Sequence, residues 1–267
     1  MKIIRFQDFT GQINYGEPID DQTARLIDGA IFENYTVTNQ TTTVTKLLAP
    51  IVPPTILCIG LNYRAHAEET GAKIPEYPVL FIKAANALNN PGDPIVIPKV
   101  ATGQVDYECE LAVVIRKEAK NVSRNDALDY VLGYTCANDV SARRWQKDGG
   151  GKQWCRGKSF DTFCPLGPSI VTKDQIPHPN NLNITTTLNG KTMQDSNTSD
   201  MIFDIPTLIN FLSQGTTLLP GTVILTGTPP GVGFARNPPV FLQTGDQISI
   251  EIEHIGKLTN SVQEEAF

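Results

Sequence analysis

The chain has 267 residues, 40% hydrophobic and 19% charged, enough for one substantial core or one large domain with a small appendage. Its net charge of −6 is diffuse, which argues against nucleic acid or an anionic membrane as the main partner, since both need clustered Lys and Arg. A small anionic substrate stays compatible, because a local basic pocket or a bound cation overrides a diffuse field.

Residues 1–52 carry short β-like stretches (KIIRFQ, ARLIDGAIF, TTTVTKLL) and read as a small N-terminal β-rich domain. MKIIRFQDFTG contains Asp8 and no continuous apolar run, unlike a secretory signal. Pro50, Pro53 and Pro54 then mark a hinge into a second domain, 53–267. The apolar run LLAPIVPPTILCIGL across this hinge is too short to span a bilayer. In GLNYRAHAEE, His66 and Glu69 are three apart, so a helical turn brings a carboxylate against an imidazole, the usual preparation of a general base. A surface His–Glu pair is also often incidental. The chain's other histidines are His178, expected in an exposed loop between two prolines, and His254, expected at a hairpin.

PVLFIK and DPIVIP read as strands. In DYECELAVVI, Glu108 and Glu110 lie two apart before an apolar strand and so project from one face. Alone, such a pair describes a solvated strand face as well as a cation site. Ser123 and Asp126 predict a capped helix through ALDYVL, ended by Gly133. Asp139 follows the apolar segment YVLGYTCA into the core, where an acid needs a partner. Three carboxylates without a Cys or His pair suit Mg²⁺, Mn²⁺ or Ca²⁺ better than Zn²⁺.

SARRWQKDGGGKQWCRGKSFD supplies Arg143, Gln146 and Lys158. Its GGGK lacks the upstream Gly and the following Ser or Thr of a phosphate loop, so it reads as a flexible loop beside a cationic group. PTLINFLSQG predicts a helix with Pro206 in first position and Gly215 at its end. The turn in ILTGTPPGVG offers backbone N–H groups and Thr226 or Thr228 as an anion nest, or else is simply a rigid turn. In QISIEIE, Ile248, Ile250 and Ile252 alternate with polar residues as in a half-buried strand, and HIGKL turns it back. The five cysteines form no C-x-x-C pair and read as free thiols in a reducing compartment: the cytoplasm or, in a eukaryote, the mitochondrial matrix. The predicted class is α+β, strand-dominated.

The order NYRAHAEE, PVLFIK, DYECELAVVI, DALDYVLGY, NDVSARRWQ, GKSFDTFCPLGP, NTSDMIF, LTGTPPGVG resembles the fumarylacetoacetate hydrolase family from about residue 55 onward. GKQW…GKSFDTFCPLGP, PPVFLQTGD and the extra N-terminal segment resemble its branch called fumarylacetoacetate hydrolase domain-containing protein 2. The resemblance implies a mixed β-roll catalytic domain, a homodimer, and one Mg²⁺ or Mn²⁺ held by Glu108, Glu110 and Asp139. It also implies His66, Glu69 and Lys158 as catalytic groups, with Arg143, Gln146 and Thr228 facing a small 2-oxo acid. The reaction expected is C–C hydrolysis of an acylpyruvate. Oxaloacetate keto–enol tautomerisation or decarboxylation at the same site is the alternative, and a catalytically silent metal-binding scaffold the second.

Overall fold

The computed structural model describes residues 1–149 and 151–266; Gly150, inside the GGGK segment, lies outside the described residues. The fold is strand-dominated, as expected. One large sheet runs Tyr35–Thr43, Thr23–Gly29, Ile13–Pro18, Lys2–Gln7, Cys164–Thr172, Val131–Asn138, Cys109–Ile115, Val223–Leu225, Ile56–Gly60, Val79–Lys83. A five-stranded sheet contains the hairpin Gln247–Ile252/Gly256–Glu264, turned through His254 at φ 64°. The N-terminal strands join the large sheet through Lys2 and Ile3, which pair with Val171 and Ile170, and Ala49 and Ile51 are fully buried.

Strand Cys109–Ile115 is buried along its whole length, because both faces of the sheet are covered. Leu111 and Val113 enter one core cluster, while Ala112 and Val114 enter the other. By the same alternation, Glu110 shares the face of Ala112 and Val114.

The helix expected after Ser123 is corrected to a single 3₁₀ turn, Ala127–Tyr130, followed at once by the strand Val131–Asn138. Ser123 and Asp126 do bond side chain to side chain at 2.7 Å, but the next residues are claimed by strand partners on both sides. Gly133 is therefore no helix terminator. A Cβ there would lie 2.2 Å from the Val171 carbonyl oxygen, so glycine is what lets the two strands approach. The second helix forms as expected at Ile205–Ser213, with Pro206 in its first turn. Asp204 caps it, its carboxylate accepting from the Thr207 backbone N–H at 3.0 Å.

Candidate active site

Asn62 sets the position of the short helix α1 (Arg64–Thr70). It is fully buried, donates to the carbonyls of Phe203 and Thr226, and accepts from the Phe203 N–H. This clasps the start of α1 to the end of strand Val223–Leu225. On α1, His66 Nδ1 lies 3.1 Å from Glu69 Oε2. Glu69 Oε1 accepts the Gly231 N–H at 2.9 Å. A carboxylate only accepts, so Nδ1 carries the proton and Nε2 is left as a base. Burial tends to raise the Glu69 carboxyl, but the bonds from His66 and Gly231 hold it below its ordinary value.

Beside the dyad lies a buried lattice of charge. Lys158 Nζ donates to Glu108 Oε2 at 2.7 Å and Asp139 Oδ2 at 2.6 Å. Lys83 Nζ donates to Asp139 Oδ1 at 2.6 Å. Arg143 donates to Glu108 Oε1 at 2.5 Å, Gln146 Oε1 at 3.1 Å and Asp106 Oδ2 at 2.9 Å, while its Nη2 is buried without a partner. Burial favours a neutral Glu108, yet Lys158 and Arg143 outweigh it and pull the carboxyl down to about 2. Glu110 goes the other way. Burial, then the charges of Asp139 and Glu108, push its carboxyl well above the ordinary range. Its one hydrogen bond among the described residues comes from the Gly227 N–H at 2.7 Å.

The acidic triad fits a divalent cation. Oxygens of Glu108, Glu110 and Asp139 lie within 4.8 Å of one another, all buried. With Asp106, four buried carboxylates face three buried cations, so ionising Glu110, which has no ion-pair partner among the described residues, would leave one negative charge for a bound cation to compensate. An all-oxygen donor set with surplus negative charge suits a hard cation.

Of the nine residues singled out from the sequence, His66, Glu108, Glu110, Arg143, Gln146, Lys158 and Thr228 line one cavity of about 330 Å³. Glu69 and Asp139 stand behind it, each bonded to a lining residue. Thr228 Oγ1 accepts from Gln194 Nε2 at 2.8 Å.

Much of the Gly/Pro turn's donor capacity is spent inside the protein: the N–H groups of Gly227 on Glu110, of Gly231 on Glu69, and of Gly233 and the following Phe234 on Asp106. Thr226 Oγ1 is likewise spent on the Leu111 carbonyl. Sequence reasoning missed Lys83, Asp106 and Gln194. Two signals were present: Lys83 falls on the buried face of its strand, with Phe81, and Asp106 extends the two-residue spacing of Glu108 and Glu110.

No described helix is long and apolar enough to cross a membrane, which does not bear on strand-built spans. The family model for the C-terminal region of fumarylacetoacetate (FAA) hydrolase matches residues 55–263. The chain is 52% identical to the fumarylacetoacetate hydrolase domain-containing protein 2 homolog of Dictyostelium discoideum, over 82% of this chain and 74% of that protein. It is also 52% identical to the Xenopus laevis protein named oxaloacetate tautomerase fahd2, mitochondrial, over 81% of this chain and 68% of that one. The crystal structure of a 5-carboxymethyl-2-hydroxymuconate delta-isomerase from Mycobacterium smegmatis superposes with a TM-score of 0.86 at 39% identity, covering 99% of this chain and 100% of that one. Motif order, strand-dominated fold, carboxylate triad and these matches converge: the chain belongs to the fumarylacetoacetate hydrolase family.

Proposed function

We propose that this enzyme interconverts the keto and enol forms of a short 2-oxo dicarboxylic acid of the oxaloacetate type. The carrying observation is the His66–Glu69 dyad, whose imidazole lines one cavity with Glu108 and Glu110 of the acidic triad and with Arg143, whose Nη2 lacks a partner. Keto–enol exchange requires a base that takes a proton from C3 and returns it, while the 2-oxygen gains or loses one. His66 Nε2 takes the C3 proton, the C–H electron pair becomes the C2=C3 bond, the carbonyl pair moves onto the 2-oxygen, and the His66 imidazolium hands its proton to that oxygen. Glu69 stabilises the imidazolium that forms in between. Arg143, which lines the cavity and has an unpartnered Nη2, would receive a substrate carboxylate. Glu108, Glu110 and Asp139 would hold Mg²⁺ or Mn²⁺, which when bound supplies Lewis-acid polarisation of the 2-oxo unit.

Acylpyruvate hydrolysis, the reaction first expected, needs the same dyad to activate water. The names of the tautomerase and delta-isomerase relatives support proton transfer instead. Cleavage of longer 2,4-dioxo acids stays as a second reading on one observation, the apolar cavity wall of Phe81 and Trp154. A silent scaffold would need neither the dyad nor Arg143. The proposal takes the enzyme as a homodimer in the cytoplasm or mitochondrial matrix, and light scattering tests the first of these.

The test follows enol-oxaloacetate by ultraviolet absorbance with Mg²⁺ or Mn²⁺, beside a panel of acylpyruvates. Wild type should accelerate enol loss, and His66→Ala should lose roughly 10²–10⁴-fold, the range of a general base. Rapid acylpyruvate cleavage without faster tautomerisation would overturn the proposal in favour of hydrolysis.

A further inference from the structure

Two of the residues lining the cavity are cations with hydrogen-bonding capacity left over among the described residues. One is Arg143, whose Nη2 is buried and without a partner. The other is Lys147, exposed at the rim of the same cavity and bonded to no carboxylate among the described residues. They are linked through one ring: the Lys147 ammonium lies 4.2 Å and the Arg143 guanidinium 4.4 Å from the centroid of Phe234. Two like charges around one aromatic ring repel each other, and the ring quadrupole offsets only part of that repulsion. Arg143 spends its other nitrogens on Asp106, Glu108 and Gln146, whereas Lys147 has the Phe234 ring but no carboxylate among the described residues.

We infer that Lys147 is a specificity-determining residue that receives the C4 carboxylate of a dicarboxylic 2-oxo acid, while Arg143 receives the C1 carboxylate beside the 2-oxo carbon. A dianion then joins the inner donor to the outer one and relieves their repulsion. Phe234 fixes the spacing between them, and Asp106 fixes Phe234 by accepting its backbone N–H at 3.0 Å. A monocarboxylic acid of equal length leaves Lys147 unmet and gains nothing from it. The inference rests on the proposed function only for the reaction; its binding half stands apart from turnover.

Oxaloacetate and 2-oxobutyrate form the appropriate pair, since they differ only in a carboxylate or a methyl at C4. Their affinities for the Mg²⁺-loaded full chain are measured by calorimetry in wild type, Lys147→Met, Lys147→Arg and Lys147→Glu. The expected preference for oxaloacetate falls about three- to fivefold in Lys147→Met, the scale of a solvent-exposed ion pair. It falls further in Lys147→Glu, is largely kept in Lys147→Arg, and weakens with added salt more in wild type than in Lys147→Met. Where oxaloacetate turns over, KM should carry most of the change and kcat little. A ratio of affinities equal to wild type in both the Met and the Glu variant would overturn the inference. Loss of the preference without any tautomerase activity in wild type would keep the inference and refute the proposed reaction.

Discussion

Asp106→Asn removes one charge and changes almost no volume, which makes it a sharp probe of how the site is braced. Asp106 is fully buried, and each of its oxygens accepts two N–H groups. Oδ1 takes those of Tyr107 and Gly233, both at 2.8 Å, and Oδ2 takes Arg143 Nε at 2.9 Å and Phe234 N at 3.0 Å. An amide has only one oxygen. In either orientation its NH₂ must face two donors, and the Arg143 guanidinium also loses a formal counter-charge. Removing one partner of a buried ion pair costs about 3–5 kcal/mol, and here the unmet N–H groups place the loss toward the upper end. At about 2–4 °C per kcal/mol for a chain near this size, the melting temperature should fall by roughly 10 °C or more. Circular dichroism melts at neutral pH read this directly. A midpoint within about 2 °C of wild type would mean that the four donors find other partners and that Asp106 braces nothing.

Other perturbations follow from the same geometry. Glu110→Gln should leave the metal-free melting temperature equal or slightly raised, because it relieves repulsion with Asp139 and Glu108, yet Mg²⁺ or Mn²⁺ should no longer raise it. For wild type the ion should add about 2.7 kcal/mol of stability at a hundredfold excess over Kd, and an equal gain in the variant would remove Glu110 from the cation site. Gly233→Ala would place a Cβ 1.9 Å from the Val240 carbonyl oxygen and 2.5 Å from Asp106 Oδ1, so urea unfolding should show a loss of about 1–3 kcal/mol. Asp204→Ala should cost about 1 kcal/mol at neutral pH through loss of the helix cap. Burial tends to raise the Asp204 carboxyl, but the bonds from Thr207 hold it below 3.8, so its contribution is present above that pH and disappears as pH falls through the depressed value. The wild-type and variant stabilities should therefore converge in acid, and a constant gap down to the lowest foldable pH would contradict the capping role.

The sequence made some of this plain and hid the rest for physical reasons. Glu108, Glu110 and Asp139 were legible because acids entering apolar runs demand compensation, and His66 with Glu69 because helical spacing is local. Lys83 was hidden because a lysine at a strand end usually reaches solvent; only the sheet order shows its side chain turned onto Asp139. The helix wrongly expected before Gly133 shows tertiary pairing overriding a local signal. Ser123 and Asp126 do meet, but strands on both sides of Val131–Asn138 offer more bonds than a helix could. The Gly/Pro turn was legible as a row of free N–H groups. Which acids would claim them depends on contacts more than a hundred residues away in sequence, such as Gly227 to Glu110.

The pairing of Lys83, Arg143 and Lys158 with three of the four buried acids has a consequence for the order of events in the life of the chain. A centre made only of carboxylates would push itself apart until an ion arrived, and folding would wait on that ion, as in small metal-dependent domains. Here the counter-charges are built in, and Glu110 alone is left wanting one. Synthesis and folding should therefore finish in a metal-poor setting, and an ion would join a finished protein. A chelator should silence such an enzyme without emptying the pool of folded chains, and restoring the ion should revive it with no refolding step. With turnover dependent on the ion, the amount of enzyme and the fraction at work would answer to two separate controls, translation and the free divalent ion of the compartment.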